Sequence, residues 1–151
     1  MVPAFFDNAR EATVIGAEVA ADFEISESWK VRSGFTFLDL KFEGDVVGTP
    51  IQPQTDAEEP NFVANPRSYL SITQDLDWDI GLYAVDRLDD LRVGAYMRVD
   101  TRLAYRPGPT LELVLGAQNL TQGQHDEFAT TLLSSATDAE RTVYFGVTWN
   151  P

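Results

Sequence analysis

Apolar and polar residues alternate with a period of two through most of this sequence. Ile15, Val19 and Phe23 fall on one side of their segment, whereas Glu18 and Asp22 fall on the other. A period of two predicts a β-strand with one apolar face, and no segment shows the period of a helix of ordinary length. The alternation predicts about seven strands: Thr13–Phe23, Trp29–Phe42, Ser68–Asp75, Trp78–Val85, Tyr96–Arg106, Leu111–Gln118 and Arg141–Trp149.

The connections between these strands alternate between short and long. Short turns and long loops on opposite rims are typical of outer-membrane barrels, and strands of about ten residues are long enough to cross a bilayer when tilted. If the last strand ends in the periplasm, all long connections lie outside the cell and all short connections lie in the periplasm. The short connections are Glu24–Ser28, Leu76–Asp77 and Pro107–Thr110, and the long ones are Glu43–Pro66, Asp86–Ala95 and Asn119–Glu140.

Composition narrows the choice of protein class. The 151 residues carry 11 Lys and Arg against 24 Asp and Glu, so the formal net charge is −13. Such an acidic balance argues against nucleic-acid binding and against a polybasic anchor on anionic lipid, since both need positive charge. Cysteine is absent, and no apolar run reaches the roughly 18 residues of a transmembrane helix. A soluble β-rich domain and an outer-membrane β-barrel remain.

Signals for export and for catalysis are absent from the sequence. Met1–Asp7 has neither the basic nor the apolar region of a secretory signal peptide, which indicates a cytoplasmic protein or a sequence without its natural N-terminus. His125 is the only histidine and lies in a polar loop, and no catalytic or phosphate-binding motif is present. The long loops are acidic but lack the ordered spacing of a calcium loop. We therefore predict no enzyme, no cofactor and no metal site.

Two sets of residues are candidates for function. Arg98, Asp100 and Arg102 lie on the polar side of one predicted strand, and Glu112 on the next strand extends them into a charge ladder across the sheet. In a membrane barrel this side lines the lumen, where these residues pair with one another or contact substrate. The second set is aromatic and lies near the short-turn ends of strands, where interfacial girdles form: Trp29, Trp78, Tyr105 and Trp149.

The C-terminal half carries a family resemblance in four ordered segments. They resemble the late strands of TonB-dependent outer-membrane receptors: a strand with an Asp and an aromatic-Arg-Pro turn, a strand closing on Asn-Leu, a His-x-Glu-Phe, and a last strand entered through Arg. Gly16-Ala17-Glu18 is a weaker match to the family's Gly-x-Glu strand. The four segments are Val93–Pro107, Leu111–Thr121, His125–Phe128 and Glu140–Trp149, after which Asn150 and Pro151 displace the family's terminal aromatic residue.

The resemblance implies a fold and a function. The fold is an all-β, antiparallel, up-and-down transmembrane barrel of about 22 strands, of which residues 1–151 form the C-terminal portion, without the plug domain. The function is TonB-dependent uptake of a scarce nutrient across a Gram-negative outer membrane, with an iron–siderophore complex as the first substrate class and cobalamin, haem or a saccharide as others. The implied partners are outer-membrane lipid, the rest of the barrel and plug, the inner-membrane TonB complex and a small-molecule substrate.

Two other interpretations remain open from the sequence. One is a small stand-alone outer-membrane barrel with a structural or adhesion role, which needs an eighth strand to close. The other is a soluble β-barrel that binds a small ligand inside. On the receptor interpretation, a chain of seven strands has two unpaired edges, so we expect that it neither inserts nor transports alone.

Overall fold

The computed structural model describes residues 11–43, 59–88, 93–121, 124–128 and 137–151. Every regular element in these ranges is a β-strand, and none of the described residues forms a helix long and apolar enough to cross a membrane. The strands are β1 (Glu11–Ser26), β2 (Trp29–Glu43), β3 (Phe62–Ala64), β4 (Arg67–Ser71), β5 (Leu76–Val85), β6 (Tyr96–Gly108), β7 (Leu111–Gln118), β8 (Gln124–Phe128), β9 (Thr137–Glu140) and β10 (Thr142–Trp149).

The strands form one eight-stranded antiparallel sheet and a separate small hairpin. The sheet follows the chain in the order β1-β2-β3-β5-β6-β7-β10, with β4 also pairing β2 and β5, while β8 pairs only with β9. Every pairing is antiparallel, so the sheet is an up-and-down meander. The predicted all-β, antiparallel, up-and-down fold is confirmed.

Strands β3 and β4 are two halves of one strand that Pro66 interrupts. Both halves keep the same register against β2 and against β5, so no residue is inserted between them. Pro66 has no N–H to give to the ladder. The backbone still bonds around it, because the Asn65 N–H donates to the Gly34 carbonyl at 2.9 Å and the Pro66 carbonyl accepts from the Leu82 N–H at 2.9 Å.

The strands differ most from the sequence prediction in three places. The third strand begins at Phe62 rather than Ser68, because Pro66 lies at its centre and looked like the end of a loop. The short turn after it occupies residues 72–75 rather than Leu76–Asp77, and both of these residues begin β5. The last long connection contains the β8–β9 hairpin, which the sequence analysis did not predict.

One face of the sheet is apolar from the short-turn ends of the strands towards the long loops. We call these residues the apolar face, and no charged residue is among them. Beyond them on β2, the same side carries Asp39 and Lys41, which pair at 3.1 Å near the long-loop end. The apolar face comprises Ile15, Ala17, Val19, Ala21, Phe23, Trp29, Val31, Ser33, Phe35, Phe37, Phe62, Ala64, Ser68, Leu70, Leu76, Trp78, Ile80, Leu82, Ala84, Met97, Val99, Thr101, Leu103, Tyr105, Leu111, Leu113, Leu115, Ala117, Val143, Phe145, Val147 and Trp149.

The apolar face is not covered by any other described part of the chain. Val143 and Phe145 remain 67% and 66% exposed, and the only buried hydrophobic residues among those described are Val85, Val93 and Ala104. A water-soluble sheet buries such a face against a second layer. On β6 the apolar face runs from Met97 to Tyr105. This length matches the roughly 9–11 residues that a tilted strand needs to cross hydrocarbon.

The sheet is open. Within the described residues, β1 pairs only with β2 and β10 pairs only with β7, so each has one side without a strand. An unpaired N–H or C=O in hydrocarbon costs several kcal/mol. These two edges therefore need further strands before the apolar face can lie in a bilayer.

We predict that the isolated 151-residue chain, refolded into detergent, gives no heat-modifiable band on gel electrophoresis. Heat modifiability reports a closed barrel that resists unfolding, and the open edges prevent closure. A well-behaved outer-membrane barrel refolded in parallel serves as the positive control. A compact band that shifts on boiling would contradict this expectation.

Candidate functional site

The face opposite the apolar face carries most of the charged residues of the sheet. Because neighbours in a strand point to opposite sides, every second residue of the same strands lies here. We call it the polar face. Its charged residues are Glu18, Asp22, Glu24, Lys30, Arg32, Arg67, Asp77, Asp79, Arg98, Asp100, Arg102, Arg106 and Glu112.

Two arginines of β6 form a continuous ion-pair network across three strands. Arg102 Nη1 lies 3.1 Å from Asp79 Oδ2, and its Nη2 lies 3.2 Å from Glu112 Oε1. Arg106 Nη1 donates to Asp77 Oδ2 at 2.7 Å, and its Nε donates to Glu112 Oε2 at 2.9 Å. Glu112 therefore bridges both guanidinium groups, and we call these five residues the arginine network.

The register explains why these residues meet. Asp79 pairs directly with Arg102 across β5 and β6. Arg106 directly follows Tyr105, which pairs with Leu113, so the same register places Arg106 alongside Glu112 of β7, before the register shifts at Gly108. The side chains are 25–40% exposed, so the network is partly shielded from water. Charge-assisted hydrogen bonds in such a setting are stronger than those of isolated surface pairs.

A second cluster lies nearer the long loops, around Asp100. Asp100 Oδ1 accepts the Asn119 N–H at 3.0 Å, and Asp100 Oδ2 lies 3.2 Å from Arg98 Nε. The Arg98 guanidinium also stacks over the Tyr83 ring at 5.5 Å from its centroid, a cation–π contact. Asp100 thus connects the side chains of β5 and β6 to the backbone where β7 ends.

Asn119 directly follows β7 and has a left-handed conformation with φ 56°. It is 1% exposed, and the chain that follows it is held by three hydrogen bonds. The Leu120 N–H donates to the Val99 carbonyl at 2.9 Å, Thr121 Oγ1 donates to the Met97 carbonyl, and Arg141 Nη2 donates to the Leu120 carbonyl at 3.0 Å. These hydrogen bonds fix the place where the last long connection leaves the sheet.

A third charged cluster lies on β1 and β2. Arg32 makes a bidentate contact with Asp22, with Nε to Oδ1 at 2.8 Å and Nη2 to Oδ2 at 3.1 Å. Lys30 pairs with Glu24 at 2.9 Å. Both pairs join directly opposite residues of the two strands.

The sequence-predicted polar residues all lie on the polar face but belong to two clusters. Arg102 and Glu112 are in the arginine network, and Arg98 and Asp100 are in the cluster at the end of β7. Sequence analysis did not include Asp77, Asp79 and Arg106 in the set. Asp79 and Arg106 alternate with apolar neighbours in the sequence, and this alternation could have assigned them to the polar face. Asp77 was missed because it was assigned to a turn.

The sequence-predicted aromatic residues lie on the apolar face near the short-turn ends of their strands. Trp29 begins β2, Trp78 stands near the start of β5, Tyr105 stands near the end of β6, and Trp149 ends β10. Tyr105 is 47% and Trp149 is 69% exposed. A girdle at the membrane interface stays a prediction for these four residues.

The described residues contain no group of three or more His, Cys, Asp or Glu that could hold a metal ion. The side chain of His125 and the acidic side chains at positions 45, 56, 58, 89, 90, 126, 127 and 138 lie outside what the structure describes. The described clusters pair opposite charges, and the arginine network sets three carboxylates against two guanidinium groups. Such an arrangement links adjacent strands and presents hydrogen-bonding groups on the polar face.

Comparison with known families and structures gives a consistent result. A sequence model described as the TonB dependent receptor-like β-barrel matches residues 2–120. No curated protein matches the chain significantly. The siderophore receptor PiuA from Acinetobacter baumannii is similar to 94% of the chain at 21% identity with a TM-score of 0.76. The ferric-catecholate import receptor Fiu from E. coli K12 is similar to 91% at 20% identity with a TM-score of 0.71.

These structural similarities concern the fold. The chain covers 22% of the PiuA chain and 21% of the Fiu chain, so it spans about a fifth of the length of the receptors that it resembles. Its all-β antiparallel sheet superposes on part of their barrels, which agrees with the fold expected from the sequence.

We predict that Glu112→Ala destabilises the sheet, because it leaves both Arg102 and Arg106 with one carboxylate fewer. The expected result is a lower urea midpoint for unfolding, measured by tryptophan fluorescence on folded protein in which the two open edges of the sheet are paired with further strands. Glu18→Ala is the matched control, since Glu18 is also on the polar face and forms no ion pair with any described residue. Equal midpoints for the two variants would mean that the network adds no stability.

We also predict that Asn119→Ala destabilises the protein more than Asn119→Gly. A left-handed conformation costs a residue with a Cβ atom about 1–2 kcal/mol, and glycine avoids that cost. Both variants lose the same side-chain amide, so their difference isolates the backbone conformation. The measurement is the free energy of unfolding in urea, and an Asn119→Gly variant as unstable as Asn119→Ala would argue against the backbone explanation.

Proposed function

The chain belongs to the TonB-dependent receptor-like β-barrel family, and from this membership we propose that it forms part of the wall of a receptor that imports a scarce nutrient across the outer membrane of a Gram-negative bacterium. Proteins of this family are receptors and transporters rather than enzymes, as the sequence analysis expected. The proposal assigns the apolar face to lipid and the polar face to the barrel lumen.

One observation carries this proposal: from the short-turn ends of the strands to the end of the apolar face, the sheet keeps charge on one side only, and Asp39 and Lys41 lie beyond that region. The apolar face has no charged residue and is uncovered in the described structure, whereas the polar face holds every ion pair of the arginine network. A soluble ligand-binding barrel has its apolar side inward and its charges outward. The opposite arrangement is the one that a water-filled barrel in lipid needs.

We propose that residues 1–151 correspond to the C-terminal portion of the barrel. The order of the late-strand motifs supports this position, and the coverage of about a fifth of each similar receptor supports a portion of a larger barrel. The open edges at β1 and β10 favour a larger barrel over a small stand-alone one. On this proposal, the plug, the remaining strands and the contact with the inner-membrane TonB complex belong to other parts of the receptor.

An iron–siderophore complex is the substrate class that we propose first. The supporting observation is that the two similar structures are described as a siderophore receptor and a ferric-catecholate import receptor. Cobalamin, haem and saccharides remain alternatives. Arg98, Asp100, Arg102 and Glu112 are proposed as lumen residues, with pairing as their main role and substrate contact as a secondary one.

We predict that deleting the gene for the complete receptor abolishes uptake of one ferric siderophore by iron-starved cells. Uptake of radioactive iron is measured with a panel of catecholate, hydroxamate and mixed siderophores, with cobalamin and haem in parallel. Because TonB-dependent transport uses the inner-membrane proton gradient, a protonophore removes the same uptake from wild-type cells.

Complementation with the wild-type gene is the control, and cell fractionation checks that the protein is in the outer membrane. Loss of cobalamin or haem uptake instead would keep the receptor function and change the substrate. Unchanged uptake of every compound, or a protein found in the soluble fraction, would contradict the proposed function.

A further inference from the structure

Two tryptophans of the apolar face make the same hydrogen bond. Trp29 Nε1 donates to Ser68 Oγ at 2.9 Å, and Trp78 Nε1 donates to Thr101 Oγ1 at 2.9 Å. In each case the hydroxyl lies on the next strand, two residues farther from the short-turn end than the direct partner of the tryptophan. Both indole N–H groups therefore point away from the rim and towards the middle of the apolar face.

This orientation differs from that of an aromatic residue anchored at a membrane surface. Tryptophan is enriched at the interface because its ring is apolar while its N–H reaches water or lipid headgroups. Here the N–H is already satisfied within the protein. Such a ring presents only apolar surface to its surroundings, so it loses no hydrogen bond when hydrocarbon covers it.

The same contacts account for two hydroxyl residues on an otherwise apolar face. An unsatisfied hydroxyl is costly in hydrocarbon. Ser68 Oγ accepts the Trp29 indole, and Thr101 Oγ1 accepts the Trp78 indole while donating to the Asp79 carbonyl at 3.1 Å. Each polar atom thus satisfies the other without water.

Trp149 provides an internal contrast. Its direct partner on β7 is Leu111, so Leu113 occupies the place that corresponds to Ser68 and Thr101. Leucine accepts no hydrogen bond, and the Trp149 indole has no partner among the described residues. Trp149 is 69% exposed, against 39% for both Trp29 and Trp78.

We propose that the rings of Trp29 and Trp78 lie in the hydrocarbon layer, held there by Ser68 and Thr101, and that Trp149 alone of the three binds the headgroup region. The inference rests on the proposed membrane function, which supplies the lipid. Ser68 and Thr101 are then positioning residues for the two rings rather than contacts for substrate.

The test is depth-dependent fluorescence quenching of the complete receptor in liposomes. Phosphatidylcholine brominated near the carbonyl groups probes shallow rings, and the same lipid brominated near the chain ends probes deep ones. The signal of each tryptophan is obtained as the difference between wild type and the variants Trp29→Phe, Trp78→Phe and Trp149→Phe. Difference signals remain valid if other parts of the receptor contain tryptophan.

We expect a larger ratio of deep to shallow quenching for Trp29 and Trp78 than for Trp149. We also expect Thr101→Val, which keeps the side-chain shape and removes the acceptor, to lower that ratio for Trp78 alone. Ser33→Ala is the matched control and is expected to leave both ratios unchanged. Ser33 also lies on the apolar face, but Trp29 and Trp78 donate to Ser68 and Thr101 instead. The effect of Thr101→Val shows whether the hydrogen bond to Thr101, or only the place of Trp78 on its strand, sets the depth of the Trp78 ring.

Each other outcome overturns a definite part of the proposal. Strongest shallow quenching for all three tryptophans would refute the deep position while leaving the membrane function intact. An unchanged Trp78 ratio in Thr101→Val would refute the role of the hydroxyl. No quenching of any of the three by either lipid would refute the membrane function and with it the inference.

Discussion

Antiparallel backbone pairing between neighbours in the chain is the interaction on which the rest of this structure depends. In hydrocarbon no water is available for backbone N–H and C=O groups, so each must bond to another part of the protein. The β1–β2 ladder, which runs from Glu11 opposite Glu43 to Ser26 opposite Trp29, pairs the facing backbone groups of both strands over nearly their whole length. The extended backbone also sends successive side chains to opposite faces, and this separation produces both the apolar face and the polar face.

The charge clusters of the polar face follow from that separation. Since the apolar face excludes charge, most charged residues of these strands lie on one side of a single sheet, where opposite charges meet across adjacent strands. Glu112 joins two arginines, and Asp100 joins Arg98 to the backbone of Asn119. These contacts hold the strands and their loop exits in place. In the proposed receptor they form a firm wall, and the long loops would supply much of the contact with substrate.

The positions that sequence reasoning missed have identifiable causes. Pro66 is typical of a loop, yet the third strand continues through it because neighbouring backbone groups bond around the missing N–H. Leu76 and Asp77 looked like a turn, and the error removed Asp77 from the predicted polar set. Periodicity assigned Arg98, Asp100, Arg102 and Glu112 to one face, but partners depend on strand register and on reach. The register in which Tyr105 pairs with Leu113 puts Arg106 beside Glu112, which no spacing in the sequence reveals.

The sequence by itself determined the all-β class, the up-and-down order of the strands and the division of residues between an apolar and a polar face. It could do so because a period of two and the length of each connection are local properties of the chain. Only the tertiary structure decided which charges pair and where the indole N–H groups of Trp29 and Trp78 point. Those features depend on register, side-chain rotamers and twist, which bring together residues that are distant in the chain.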